Sequence, residues 1–381
     1  MTRFFDWLVE VWDRLRGILG FHRLTKKGRG DELVGRGFFR RSLYFLRPVL
    51  MLLILIYVGT MVWRFSWVRG ETLGYPQVVL AEAGPVSAEG AQACTASELV
   101  KMEQSLLDMI VNQNDWAPAT PQYKMGFFGL VAWEDTPFFD NKASFQRGVL
   151  AALRRVSIEL ADQLGRLRGT SAADADLEAA RSSLQIDEQQ WIFNPFDSQR
   201  PLLATSAASS YRNAMDLLGN FNQRLVNCDA TFDARADNLI QLLDRIANDL
   251  GSVTDQMASR SQGRIYDVSQ HQFVDGQGND RGWFDFQADN MFHDARGRMY
   301  AYHGLLQAIR VDFKDAIAQK GAGTLWDRME ARVAEASDLS PLIVSNGRED
   351  GFAMPNHLSV MAQSILRARA NMTELRDVLA R

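Results

Sequence analysis

Residues 232–257 read FDARADNLIQLLDRIANDLGSVTDQM, and this stretch decides the fold class. Phe232, Ala236, Leu239, Leu243, Ile246, Leu250, Val253 and Met257 recur at alternating steps of 4 and 3. Such a heptad seam places one apolar stripe along one side of an α-helix. Tyr211, Met215, Leu218 and Leu225 continue the phase upstream, with Asn222 and Asp229 at the intervening seam positions. No proline interrupts residues 202–260. One helix through residues 206–260 or two helices broken at Asn227-Cys228-Asp229 both fit, and the polar seam positions favour the break.

The same periodicity recurs outward from this stretch. Leu99, Met102, Leu106 and Met109 share a face, with Ser97 placed to cap their helix. Val149, Leu153, Val156, Leu160, Leu164 and Leu167 share another, within residues 145–167. Tyr302, Leu306, Ile309 and Phe313 line a third. Leu358, Met361, Ile365, Ala368, Met372, Leu375 and Leu379 line the last, with Pro355 read as its first turn. Successive amphipathic helices predict an antiparallel helical bundle over residues 98–381.

Towards the N-terminus the pattern changes. Residues 43–63 hold a single charge, Arg47, and are otherwise apolar or aromatic with few polar positions. About 20 apolar residues cross the ~30 Å hydrocarbon core of a bilayer, so this segment is expected to be a transmembrane helix. A buried core helix is the competing reading, and such a helix rarely lacks a polar face. A cleaved signal peptide begins closer to the N-terminus. Residues 1–42 carry ten Lys or Arg, against two in residues 64–83. The positive-inside rule then places the N-terminus in the cytoplasm and residues 64–381 across the membrane. Residues 64–97, rich in Gly and Pro, form a linker, in which residues 75–80 suit a brief strand.

Within the cytoplasmic arm, Phe4, Leu8, Val11, Trp12, Leu15, Ile18 and Leu19 lie on one helical face flanked by arginines. That arrangement suits a helix lying on anionic lipid, or one packed on another chain. The overall charge of −4 argues against nucleic acid as a partner. Residues 64–381 hold ten more acids than bases, which points the same way.

Three loops between the helices are rich in aromatics and proline. Residues 115–141 include Trp116, Trp133, Phe138 and Phe139; residues 191–201 include Trp191 and Phe193; the third spans 339–357. Such loops are lids over the bundle or, if exposed, contact surface. Within them, Asn114-Asp115-Trp116-Ala117-Pro118, Ser340-Pro341-Leu342-Ile343-Val344 and Pro355-Asn356-His357-Leu358 resemble a family of bacterial single-pass inner-membrane proteins known as a domain of unknown function. The resemblance extends over the anchor and most of the outer domain. It implies a Gram-negative envelope location and supplies no catalytic residues.

No motif carries a known mechanism: GxSxG, HExxH, CxxC, Walker A and GxGxxG are all missing from the sequence. No cofactor is expected. Asp289 and His293 are four apart, the spacing of an ordinary helical pair or of two metal ligands. The run from Asp275 to Gly282 is a polar turn that departs from a calcium loop at its sixth and twelfth positions. Glu134, Asp135 and Asp140 beside Trp133 could imitate glycosidase carboxylates. Cys94 and Cys228 either bridge or lie buried as thiols. The sequence therefore suggests a non-enzymatic, membrane-anchored periplasmic scaffold or adaptor that meets lipid and other envelope proteins. An enzyme acting on cell-wall glycan and a ligand-sensing helical domain are the alternatives.

Overall fold

The computed structural model describes residues 49–62, 94–120, 123, 126, 140–166, 173–193, 203–267, 272–275, 285–349, 351, 352 and 354–381. The apolar face expected from Phe4 to Leu19, residues 43–48, Trp63 and the strand expected at 75–80 lie outside the described residues, as do Trp133, Glu134, Asp135, Phe138, Phe139 and residues 276–282. The chain divides into two compact units, Met1–Val58 and Gly59–Arg381.

Of the apolar segment, residues 49–62 are helical. Val49 to Ile56 include seven large apolar side chains beyond Val49, and all eight are exposed. No helix among the described residues is long and apolar enough to cross a membrane.

The second unit is mainly helical. Its elements are α1 (Glu98–Asp108), α2 (Asn141–Glu159), α3 (Ala175–Leu184), α4 (Ala207–Val226), α5 (Ala236–Gln262), α6 (Phe286–Asp312), α7 (Lys314–Gln319), α8 (Gly323–Ser337) and α9 (His357–Leu379). One antiparallel hairpin, β1 (Arg264–Asp267) with β2 (Gln272–Asp275), stands between α5 and α6. Helices α1 and α2 each run on into a π-helical turn, Met109–Gln113 and Leu160–Leu164.

The long stretch of residues 206–260 is two helices. Asn227 is the C-cap of α4, and Cys228 takes a left-handed backbone with φ of 64°. Asp229 N–H then donates to Arg224 O at 2.8 Å, closing the turn. The helices do not form a hairpin: α4 packs chiefly on α3 and α1, and α5 on α9.

Helix α6 is the centre. It packs against α1, α2, α5, α8 and α9, and every residue from Met299 to Ile309 is buried. The sequence shows only the face of Tyr302, Leu306 and Ile309. A helix surrounded by partners has no polar stripe to mark it.

Partner directions follow from side-chain pairs. Arg376 meets Asp244 at one end of α9 and Asn356 meets Ser261 at the other, so α5 and α9 are antiparallel. Arg245 with Glu159 and Arg155 with Asp249 make α2 antiparallel to α5. Helix α6 is also antiparallel to α5, through Tyr302 with Asp249 and Arg260 with Asp285. It follows that α2 and α6 run parallel, which corrects the expectation of a purely antiparallel bundle. Parallel neighbours require a long crossover, here everything from α3 to the hairpin.

That parallel pair touches backbone to backbone. A Cβ on Gly148 would lie 1.9 Å from Asp294 O, and one on Gly297 would lie 2.2 Å from Phe145 O. Neither oxygen can move without breaking its helix. Gly148→Ala is therefore expected to destabilise by about 3 kcal/mol, the upper part of the overpacking range, even though Ala favours a helix by about 1 kcal/mol over Gly. Thermal unfolding checks this: an unchanged or raised Tm would show that the helices are not in contact there.

One core position carries a charge-bearing group without a partner. Both Glu103 oxygens are buried and accept no hydrogen bond, and burial pushes this carboxyl well above its ordinary range. A raised folded-state pKa means that the group's contribution is complete below the unfolded value and is lost as pH rises towards the folded one. Glu103→Met is expected to stabilise by about 1–3 kcal/mol at pH 5, and by more at pH 8. Urea titrations at the two pH values test this; an equal gain at both would mean that the carboxyl is already ionised in the fold at pH 5 and that burial does not raise its pKa.

Candidate functional site

The segment between α8 and α9 joins a rigid neck to an exposed tip. The neck forms because its polar residues find partners on the ends of other helices. Arg260 at the C-terminus of α5 makes a bidentate pair with Asp285, the N-cap of α6, with Nε to Oδ2 at 3.0 Å. Asp285 is buried, so the ion pair is a fixed anchor and not a solvated contact. Asn346 Nδ2 donates to Asp285 Oδ2 at 2.7 Å.

Asn356 closes the neck from the other strand of the loop. Its Nδ2 donates to Ser261 Oγ at 2.8 Å and to Gly347 O at 2.9 Å, while its Oδ1 accepts from Ser359 N–H and caps α9. Asn346 and Asn356 form an isolated antiparallel bridge. Ser345 Oγ donates to Pro355 O at 2.6 Å, and Ser345 N–H donates to His357 Nδ1 at 3.0 Å. Burial lowers the His357 pKa, consistent with a neutral ring whose Nδ1 accepts. A Cβ on Gly347 would lie 1.9 Å from Met354 O, so the two strands of the neck need glycine there.

Above this neck the loop is apolar and open. Leu342 is 97% exposed and Phe352 is fully exposed, with Ile343 and Met354 beside them in sequence at 42% and 36%. Single exposed apolar residues are ordinary, but several on one braced loop mark a contact surface. Aromatic and aliphatic anchors held in place before binding lose little conformational entropy on docking.

The other sequence-predicted positions fall differently. Trp116 is not on the surface. It is buried, its Nε1–H donates to Glu188 O at 2.7 Å, and its ring meets Tyr211 edge-on. Sequence composition cannot separate an aromatic lid from an aromatic patch, and here the indole finds a carbonyl inside. Trp191 is half-buried against the core, edge-on to Phe193, which is 43% exposed. Asp289 Oδ1 and His293 Nε2 are 3.3 Å apart within α6, and no cluster suited to a metal ion occurs among the described residues. Asp140 is buried at the N-terminus of α2. Pro355 precedes the N-cap and is not in the first turn of α9, because Asn356 takes the capping position. The Ser345-Asn346-Gly347 turn signal was the trace of the neck in the sequence.

Cys94 and Cys228 are joined by a disulfide with Cα atoms 5.3 Å apart. Beside it, Ser97 exchanges hydrogen bonds with the Asn222 side chain, and the Asp312 carboxylate accepts from Ser97 Oγ, Glu98 N–H and Leu99 N–H. The start of α1 is thus held by the ends of α4 and α6.

Residues 126–381 match a family described as an uncharacterized protein conserved in bacteria (DUF2333). More than half of the chain is covered, and the chain belongs to that family. The match contains the loop segments Ser340–Val344 and Pro355–Leu358, but begins beyond the apolar segment of residues 43–63 and beyond Asn114–Pro118, so the family assignment does not extend to either. No curated protein and no solved structure is significantly similar to the chain.

Proposed function

We propose that this member of the family is a membrane-anchored adaptor of the bacterial envelope, with its helical domain on the outer side of the inner membrane. In this reading the loop of residues 339–357 docks a partner protein. The observation that carries it is the pairing of fully exposed Leu342 and Phe352 with a neck built from buried Asn346, Asn356 and Asp285. A loop braced this strongly gains nothing for folding from an exposed Phe. Two features support the anchor: the uncharged apolar helix at 49–62, with Val49 to Ile56 exposed, and the basic excess of residues 1–42. The disulfide supports an oxidising compartment.

Photo-crosslinking in living cells, with a photoreactive residue at position 343 beside the exposed pair, tests the reading. The expected result is one dominant crosslinked protein, abolished by Leu342→Asp with Phe352→Asp. Both positions are exposed, so the pair is expected to change stability by less than about 1 kcal/mol. Undiminished capture by the double variant would remove the loop from the interface.

A further inference from the structure

Helix α1 is moored at both ends. The Cys94–Cys228 bridge and the contacts of Ser97 with Asn222 and Asp312 hold its start. Gln146 Nε2 donates to Ile110 O at 2.7 Å and to Asp115 O at 2.8 Å, which holds the turn that ends it. Between these points α1 lies on α4 and α6, with Glu103 at its middle. We propose that α1 is a pH-sensitive strap, which opens between its moorings when Glu103 ionises and closes when it is protonated.

The surroundings of Glu103 suit the neutral acid alone. The residue is 0% exposed, and neither carboxyl oxygen has a hydrogen-bond partner. An ionised carboxylate in that position costs far more than the acid, and the nearby cations are all engaged elsewhere. On α1 itself, Lys101 turns to Glu98. On α4, Arg212 Nε donates to Asn112 Oδ1, Arg224 pairs with Asp174 and Asp176, and the Tyr211 hydroxyl accepts from Arg154. On α6, Arg298 pairs with Asp249 and Asp294, Arg310 pairs with Asp327, and Tyr302 donates to Asp249. Burial disfavours a charged His303, whose acidic neighbour is Glu330. On α2, Arg147 and Arg154 turn to Glu188. Burial is accordingly the one cause that raises the Glu103 carboxyl.

An open strap lets Glu103 meet water and regain its ordinary value. The closed form therefore has its full advantage below that value. It loses the advantage as pH rises towards the raised one, by up to about tenfold per pH unit. Asp312 and Glu98 are also raised, chiefly by burial. They belong to the mooring at the start of α1, which stays closed, and do not drive the strap. The strap is separate from the docking loop, and either can fail without the other.

Hydrogen exchange of the oxidised full chain in detergent tests the strap, read by mass spectrometry at pH 5 and pH 8 and corrected for the intrinsic pH dependence of exchange. Protection of α1 is expected to fall by at least about tenfold between the two. At pH 8, α9 is expected to stay at least about tenfold better protected than α1, since the strap opens without global unfolding. Glu103→Gln and Glu103→Met cannot ionise, and each is expected to hold the fall in α1 below about threefold. Circular dichroism shows which variants fold, and either folded variant suffices. Protection of α1 that does not change with pH, equal protection of α1 and α9 at pH 8, or a fall that persists in a folded variant would each overturn the proposal.

Discussion

Reducing the Cys94–Cys228 bridge is expected to lower the unfolding free energy of the helical domain by about 5 kcal/mol. The two cysteines are 134 residues apart, and the chain-entropy model gives about that value for so long a loop. Most of the effect lies in the unfolded chain, which regains freedom when the bond is cut. Denaturant titration with and without reductant measures it. A loss below about 1 kcal/mol would mean that the unfolded chain already keeps its two ends together. The folded side adds a refinement. Cys228 has φ of 64°, a region where a side chain is unfavourable. Cys94→Ala with Cys228→Gly should therefore lose about 1 kcal/mol less than Cys94→Ala with Cys228→Ala, since glycine accepts that backbone freely.

The second large effect is expected at Asp249. This buried carboxylate accepts from Tyr302 Oη at 2.8 Å and from Arg298 Nη1 at 3.1 Å, with Arg155 at 3.4 Å. Burial disfavours a charged Arg298, yet Asp294 and Asp249 together raise its pKa. Removing Asp249 leaves the guanidinium short of one counter-charge and the Tyr302 hydroxyl without its acceptor. Breaking a buried pair from one side costs about 3–5 kcal/mol, and Asp249→Ala is expected in that range. Asp249→Asn keeps an acceptor for Tyr302 and should cost less. Equilibrium unfolding in guanidinium chloride decides it: equal losses for the two variants would place the whole effect in the lost charge, and none of it in packing or in the Tyr302 hydrogen bond.

How far the sequence reveals this architecture depends on how each helix is buried. Helices α5 and α9 lay one face on partners, so their seams from Leu239 to Met257 and from Leu358 to Leu379 coincide with buried residues. Helix α6 is buried at every position from Met299 to Ile309, and periodicity cannot describe a stretch without an outside. The hairpin escaped because its four-residue strands, RIYD and QFVD, carry no sustained alternation. The contact of Gly148 with Asp294 pairs positions nearly 150 residues apart, and a glycine inside a helical pattern looks locally like a defect. The docking loop was half visible. Its proline and aromatic content marks a loop, but whether Leu342 faces out and Trp116 faces in depends on distant partners, Asp285 and Glu188, that no local window contains.

The position of the disulfide also has a mechanical meaning. The chain enters the helical domain through Cys94, four residues before α1 begins. Tension applied to the preceding segment first meets a covalent bond to the end of α4. Without that bond, the same pull would reach the Ser97 contacts with Asn222 and Asp312 and could strip α1 away one hydrogen bond at a time. With it, the load passes into the body of the bundle at Cys228, and α1 is shielded from force. In a single-molecule pulling experiment, the oxidised domain should yield in one cooperative step, whereas the reduced domain should first release α1 at lower force.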